Sequence, residues 1–206
     1  MCGRFVTGTD RHDWRRWVEA LELTSDEIPT ELPEAFTPAA TIPIFLREGA
    51  SVHVGPARWG LAPSWMAKPL AGRPLINVRS ETAGQKFGRY LGRSRCVIPA
   101  TGFWVRRDDV PEASRRGGKG RLFVRVADHG LFGFAGLFAE REHEGGLLRT
   151  CAILTTESSP AIHRFHDRMP VVLEPEAARR WLDPATPYVE LMRLCAAEVA
   201  LELAAA

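Results

Sequence analysis

The 206-residue sequence places a cysteine, Cys2, directly after its first methionine. Chain termini usually fray, so a structural cysteine would gain little from this position. An initiator methionine is normally removed when a small residue follows it. Removal here would leave Cys2 with both a free α-amine and a thiol. The α-amine has a reference pKa of about 7.7–8.0, so roughly a tenth of such amines are nucleophilic near neutral pH.

A terminal cysteine of this kind permits two chemistries. Its amine can condense with an aldehyde to give an imine, and the tethered thiol can then close a five-membered thiazolidine. Alternatively, the thiol can attack an amide with the amine as its base, as in class II glutamine amidotransferases, which also begin Met-Cys-Gly. Cys2 could also be an incidental small residue. The position of Cys2 alone leaves all three interpretations open.

The composition is typical of a globular protein of one domain spanning residues 1–206, with a net charge of only +2. The four cysteines are widely spaced and form no CxxC motif, which argues against a zinc site or a disulfide framework. We expect no metal and no organic cofactor. Without a signal peptide or an apolar run of about 18 residues, the sequence predicts a cytoplasmic monomer that does not enter a membrane.

The hydrophobic pattern predicts many short strands and a few helices. Trp14, Trp17, Val18 and Leu21 recur at helical spacing after Asp10 and indicate an amphipathic helix. Proline in the first turn favours a second helix from Pro175 to Leu182. The strand predictions cover Phe5–Thr7, Ile42–Leu46, Val52–Trp59, Cys96–Ile98, Phe103–Val105, Leu122–Val126, Leu131–Leu137, Thr150–Thr155 and Val171–Leu173.

Three further segments are not predicted to form strands. Many Gly and Pro residues make 60–95 irregular, and the charged, Gly-rich stretch 106–120 is typical of a mobile loop. The Ala- and Leu-rich tail predicts a helix over 189–206. Together these patterns predict an α+β fold with a mostly antiparallel, barrel-like β core and a few peripheral helices.

Five motifs occur in order along the chain: MCGRF at the start, ARWGLAPSW (57–65), INVRSET (76–82), RCVIPATGF (95–103) and FHDRMPVVL (165–173). This set resembles the SOS-response-associated peptidase (SRAP) family of abasic-site processing proteins. The matching segments extend from residue 2 to about residue 182. The resemblance disfavours the amidotransferase interpretation, which expects MCGI and an Asn-Gly motif, whereas Arg4 follows Gly3 here and Asn77 precedes Val78.

The resemblance implies that the protein captures abasic sites in single-stranded DNA. An abasic deoxyribose equilibrates with a ring-opened aldehyde, which is the electrophile that an aminothiol traps. The family's product is a thiazolidine crosslink between DNA and protein, and its peptidase label is attached to removal of its own leading methionine. We therefore expect autoproteolytic removal of Met1, an SRAP-like fold and, in a bacterium, association with the nucleoid.

Asn77 and His166 are the candidate partners of Cys2 in catalysis. The Asn77 amide can donate and accept, so it could orient the terminal amine or a sugar hydroxyl, although turn stabilisation is the simpler role. His166 has a reference pKa near 6.5, which suits the proton transfers of ring opening and imine formation. The match to the family's HDRMP motif favours a catalytic role for His166.

Arginines and tryptophans in the motifs are candidates for DNA contacts. A guanidinium group binds phosphate in a bidentate manner, and Arg79 could instead pair with Glu81. Trp59 lies in a predicted strand and is expected in the core at the edge of the site, whereas Trp65 lies in an irregular stretch and could stack on a base. The predicted DNA-binding residues are Arg4, Trp65, Arg79, Lys86 and Arg168, with Trp59 and Glu81 in support.

Val105 departs from the family pattern. The resemblance implies a proton-handling Glu at this position, and a valine side chain cannot transfer a proton. The replacement predicts slower crosslinking, substitution by another carboxylate such as Glu81, or a non-catalytic module that binds single-stranded DNA.

Overall fold

The structure is a computed structural model. It describes residues 3–23, 28–68, 70, 72–107, 120–127, 130–197 and 199–204. The strands in these ranges are β1 (Phe5–Val6), β2 (Thr41–Glu48), β3 (Ser51–Trp59), β4 (Asn77–Arg79), β5 (Arg95–Ala100), β6 (Gly102–Arg106), β7 (Arg121–Val126), β8 (Phe132–His143), β9 (Gly146–Glu157), β10 (Arg168–Pro170), β11 (Val172–Leu173) and β12 (Leu201–Ala204). The helices are α1 (Arg11–Leu21), α2 (Ser80–Arg93), α3 (Pro160–His163), α4 (Pro175–Leu182) and α5 (Tyr188–Ala196).

A closed barrel lies at the centre of the fold. Strands β9, β3, β2, β5 and β8 pair in that order, and β8 pairs with β9 to close the ring. The β3–β9 pairing is parallel, and the other barrel pairings are antiparallel. Strands β4 and β10 add to β9, and β11 adds to β8. The predicted α+β class with a mostly antiparallel, barrel-like core is confirmed.

A second sheet of four strands, in the order β1, β6, β7 and β12, packs on the barrel. The contact is aromatic: Phe5 and Phe103 from this sheet both meet Phe134 of β8 edge-on, with ring centroids 5.6 Å apart in each pair. All three rings are fully buried. Each such ring contributes about 1.5–3 kcal/mol by burial, so this cluster joins the two sheets.

The helices cover a different part of the barrel. Asp10 caps α1 by accepting a hydrogen bond from the His12 amide at 2.8 Å, as the sequence predicts for a helix that begins there. Trp17 of α1 stacks on Phe45 of β2, with ring centroids 5.3 Å apart. The Trp181 indole of α4 donates to the Cys96 carbonyl at 3.0 Å. None of the helices in the described residues is long and apolar enough to cross a membrane.

The prediction that 60–95 is irregular is wrong for its second half, which contains α2. Three glycines in this stretch lower its helix propensity, but Ala83, Phe87 and Leu91 recur every four residues and form a buried stripe. One of the glycines is required by packing. A Cβ at Gly84 would lie 2.5 Å from the Tyr188 hydroxyl of α5. Tertiary packing therefore outweighs local propensity here.

The predicted helix over 189–206 is also wrong in its second half. Helix α5 ends at Ala196, and Leu201–Ala204 forms β12 against the edge of β7. Leu201 and Leu203 alternate toward the apolar cluster between the sheets, which is the period of a strand. The predicted loop over 106–120 begins within β6, its Arg107 amide donates to the Gly120 carbonyl at 2.9 Å, and 108–119 lie outside the described residues.

A substitution at Gly133 of β8 tests how closely α1 packs on the barrel. A Cβ at Gly133 would lie 2.4 Å from a methyl carbon of Val97 and 2.7 Å from the Trp17 ring. We expect Gly133→Ala to lower the free energy of unfolding by about 1–3 kcal/mol, measured by urea denaturation. The control, Gly88→Ala in α2, meets nothing within 4 Å and should raise it by about 0.5–1 kcal/mol. Equal changes in the free energy of unfolding for the two variants would contradict close packing of α1 against Gly133.

Candidate functional site

The described chain begins in a fixed strand rather than in a frayed end. The Phe5 ring is fully buried and lies 5.1 Å from the Phe36 ring and 5.2 Å from the Trp59 ring, between centroids. Phe5 pairs with Phe103 of β6, and its carbonyl accepts a hydrogen bond from the Phe36 amide at 2.8 Å. These contacts hold Gly3 and Arg4 in place, while Cys2 lies outside the described residues.

Gly3 and Arg4 line a cleft with a volume of about 530 Å³, and residues of both sheets contribute to its lining. The lining is strongly basic, with six arginines and one carboxylate among the described residues. The lining residues are Gly3, Arg4, Pro38, Arg73, Ile76, Arg79, Trp104, Arg106, Arg121, His166, Asp167 and Arg168. A cleft lined by charges of one sign attracts the opposite charge, so this one favours an anionic ligand.

Arg168 enters the cleft from β10 and is held by a carboxylate behind it. Its two terminal nitrogens donate to the two Glu81 oxygens at 2.7 and 2.9 Å, and one also donates to the Thr155 carbonyl at 2.6 Å. The hydrogen bonds from Arg168 lower the pKa of Glu81 below its ordinary value. Glu81 is therefore a weak base that orients Arg168, and it is absent from the described lining of the cleft.

His166 is buried, and two groups compete for its Nδ1 atom. The Arg168 amide donates to Nδ1 at 3.0 Å, and an Asp167 carboxylate oxygen lies 2.9 Å from the same nitrogen. A neutral imidazole that accepts at Nδ1 carries its proton on Nε2. A protonated Nδ1 would instead donate to Asp167. The Nδ1 atom of His166 therefore has both a hydrogen-bond donor and a hydrogen-bond acceptor within reach, which suits a group that exchanges protons.

Arg4 packs against an aromatic wall of the cleft. Its guanidinium carbon lies 4.6 Å from the centre of the Trp104 ring, and its carbonyl accepts a hydrogen bond from the Trp104 amide at 3.0 Å. A cation–π contact of this kind holds a guanidinium group against an aromatic ring. This arrangement presents a rigid cation next to the start of the described chain.

Of the predicted site residues, Asn77, Trp59, Trp65 and Lys86 are not among the described residues that line the cleft. Asn77 is half-buried at the start of β4, next to the lining residue Ile76. Trp59 is fully buried and donates from its indole to the Ile76 carbonyl at 3.0 Å, so it supports the wall from behind. Trp65 is 66% exposed in a loop and Lys86 is exposed on α2, and neither is among the described residues that line the cleft.

Val105 does not face the cleft. It is buried in the apolar cluster between the two sheets, while its neighbours Trp104 and Arg106 line the cleft. This alternation follows from the period of two in a strand. The carboxylate in the described lining is Asp167, beside His166.

Comparisons with known proteins show the family to which the chain belongs. The sequence model for SOS response associated peptidase (SRAP) matches residues 1–205. The chain belongs to the SRAP family. A Bacillus subtilis relative named abasic site processing protein YoaM is 36% identical over 191 residues, covering 89% of this chain and 80% of the relative. YoqW of Bacillus subtilis is 33% identical over 196 residues, covering 89% and 81%.

A more distant relative and a solved structure extend the similarity. Abasic site processing protein YedK of Escherichia coli is 28% identical over 194 residues, covering 88% of this chain and 79% of the relative. A crystal structure of a protein from Bordetella bronchiseptica has a TM-score of 0.75 at 24% identity, covering 100% of this chain and 99% of that one. The structural match supports the barrel fold.

The remaining cysteines of this SRAP chain are poor nucleophiles. Cys96, Cys151 and Cys195 are all buried. Burial raises the pKa of Cys195 to about 12, and desolvation also raises the pKa values of Cys96 and Cys151. A thiol must ionise before it attacks, so these three are inert near neutral pH.

The sequence motifs do not indicate several of the residues that line the cleft. Arg106 and Arg121 fall at the borders of the stretch interpreted as a mobile loop, and Trp104 falls within a predicted strand with no role in the site. Their signal is the alternation in FWVRR, where Trp104 and Arg106 share one face of β6. Arg73 lies in an irregular segment that has no such pattern.

The Glu81–Arg168 pair predicts a pH-dependent contribution to stability. Because the folded-state pKa of Glu81 is lowered, the pair stabilises the fold above the ordinary pKa of glutamate, and this contribution is lost as the pH falls through the folded-state value. We expect Glu81→Gln to lower the free energy of unfolding by about 0.5–1 kcal/mol at pH 7, since the carboxylate is half-exposed.

Urea denaturation at a series of pH values measures this difference, which should shrink as the solution becomes acidic. Glu176→Gln is the control, because Glu176 forms a more exposed ion pair with Arg179 on α4. A difference between Glu81→Gln and the unsubstituted protein that stays constant down to acidic pH would contradict the assignment.

Proposed function

We propose that this protein captures abasic sites in single-stranded DNA by forming a thiazolidine at Cys2. The α-amine of Cys2 attacks the ring-opened aldehyde and releases one water as the imine forms. The thiol then adds to the imine carbon, and its proton passes to the nitrogen, which closes the ring. The reaction requires prior removal of Met1 and needs no oxidant, reductant or cofactor.

The observation that carries this proposal is the anchoring of Gly3 and Arg4 in the basic cleft. The buried Phe5 ring fixes this end of the described chain, and Gly3, to which Cys2 is covalently bonded, lines the cleft. Arginines in the same cleft suit the phosphates of a DNA strand. The names of the relatives support the same substrate, since they are called abasic site processing proteins.

His166 is proposed to move the protons of this reaction. Ring opening of the sugar and loss of water from the carbinolamine both need a group that donates and accepts protons near neutral pH. His166 lines the cleft, and an Asp167 carboxylate oxygen lies 2.9 Å from its Nδ1 atom. Asn77 is proposed to orient the terminal amine, and Arg4, Arg79 and Arg168 to bind the backbone. We propose that the protein acts as a monomer in the cytoplasm, on the nucleoid of a bacterium.

Denaturing gel electrophoresis tests capture directly. Incubation with an abasic single-stranded oligonucleotide should give a shifted, protease-sensitive band, and Cys2→Ala should abolish it, because the substitution removes the terminal thiol. Cys195→Ala is the matched control and should retain the band, since Cys195 is buried away from the cleft. Intact mass before the reaction should show loss of Met1. A band that persists in Cys2→Ala would exclude this mechanism.

His166→Gln should slow crosslinking by about 10²-fold without weakening the binding of DNA, because it removes the proton-transfer group and leaves the arginines in place. The measurement is the initial rate at saturating oligonucleotide, with affinity determined separately. His163→Gln is the control, because His163 lies three residues earlier and is exposed. Equal rates for the two variants would exclude a proton-transfer role for His166.

The position of Val105 favours a second candidate function, a module that binds single-stranded DNA without capturing it. An apolar residue occupies the position where the resemblance implies a carboxylate, and it is buried in the core. The gel assay separates the two candidates. Salt-sensitive binding with no shifted band would support the binding module.

A further inference from the structure

Two arginines of the four-stranded sheet lie directly opposite each other in the cleft. Arg106 at the end of β6 and Arg121 at the start of β7 are register partners on adjacent antiparallel strands. Their Cβ atoms are therefore about 5 Å apart, a spacing at which like charges destabilise a sheet. Both side chains are exposed, and both line the cleft. An anion between the two guanidinium groups could accept hydrogen bonds from both.

The pair belongs to the opposite sheet from Arg79 and Arg168, two of the arginines that the sequence motifs indicate. Arg79 on β4 and Arg168 on β10 belong to the barrel sheet, whereas Arg106 and Arg121 belong to the four-stranded sheet. Gly3, which precedes β1, also lines the cleft to which both sheets contribute. A strand of DNA is a chain of anions at regular spacing, so it can contact basic groups from both sheets at once.

The basic surface continues beyond the pair. Two further arginines contact the Phe165 ring: the Arg107 guanidinium carbon is 5.3 Å from the ring centre, and that of Arg164 is 4.4 Å away. Arg107 follows Arg106 in the chain, and Phe165 precedes His166. Alternating arginine and aromatic side chains are typical of surfaces that bind single-stranded nucleic acid.

We propose that Arg106 and Arg121 form a second phosphate site, which binds the DNA strand on the side of the lesion opposite to the phosphates bound by Arg79 and Arg168. This inference rests on the proposed function, because it assumes a lesion held near Cys2. The two sites would grip the strand on both flanks of the abasic sugar. The abasic residue would then be held across the cleft with little dependence on the bases around it.

Equilibrium binding tests this site in a Cys2→Ala background, where no crosslink can form. The probes are three fluorescent single strands that contain tetrahydrofuran, a stable abasic analogue: one has flanks on both sides, one only a 5′ flank and one only a 3′ flank. Arg106→Gln/Arg121→Gln should weaken binding about tenfold for the two-flank strand and for one single-flank strand. It should leave the other single-flank strand nearly unchanged.

The salt dependence gives a second readout. The slope of log K against log salt should become shallower by about 0.7 for each phosphate that the variant no longer neutralises. Arg179→Gln/Arg193→Gln is the matched control, since it removes two positive charges from α4 and α5, away from the cleft. Arg106→Lys/Arg121→Lys should retain most of the affinity and the full slope.

Thermal melting without DNA checks the fold of each variant. Arg121→Gln alone should melt no lower than the unsubstituted protein, because it relieves the cross-strand repulsion. Equal losses of affinity for both single-flank strands, or a loss no larger than that of the control, would overturn the second phosphate site. Failure of the unsubstituted protein to crosslink abasic DNA would instead defeat the proposed function, and the binding measurement would still decide whether the site exists.

Discussion

The burial of the Phe5 ring is the interaction on which the arrangement of the cleft depends. Phe5 contacts Phe36, Trp59 and Phe134, which links the first strand to the barrel and to the loop before β2. A ring buried in this way contributes about 1.5–3 kcal/mol, enough to keep a terminal segment from fraying. The same burial sets Gly3 and Arg4 at the wall of the cleft. Terminal chemistry requires such a tether, since a nucleophile on a frayed end would lose the advantage of a fixed orientation.

The cleft is strongly positive, and neighbouring side chains fix the orientation of two of its arginines. Six arginines of the described residues line it, and two of them are oriented by neighbours: Arg168 by Glu81 and Arg4 by Trp104. A guanidinium group that is already oriented loses less conformational entropy when a phosphate binds. The carboxylates beside the cleft have different tasks. Glu81 orients a cation and has a lowered pKa, whereas a carboxylate oxygen of Asp167 lies 2.9 Å from the Nδ1 atom of His166. The interpretation of Glu81 as a replacement proton carrier is therefore disfavoured.

Local sequence patterns predicted the elements whose signals are local. Helix α1 follows from the spacing of Trp14, Trp17 and Leu21, and helix α4 follows from the proline in its first turn. Patterns that depend on distant partners were not predictable. The glycines of α2 are typical of a loop, and only the folded structure shows that Gly84 packs against Tyr188 of α5. Strand β12 forms because it pairs with the edge of β7, which is distant in sequence. Similarly, the motifs indicated the cleft residues from the barrel sheet, but the pairing of Arg106 with Arg121 appears only when β6 and β7 are in register.

Peptide mapping by mass spectrometry tests the central claim, that the anchored terminus carries the reactive group. The protein is allowed to react with an abasic single strand, and the product is digested with trypsin, which cleaves after Arg4, and with nuclease. We predict an adduct on the peptide that begins with Cys2 and ends with Arg4, with a mass equal to the peptide plus the sugar fragment less one water. An adduct on a lysine or a buried cysteine, or a terminal peptide that still carries Met1, would contradict the claim.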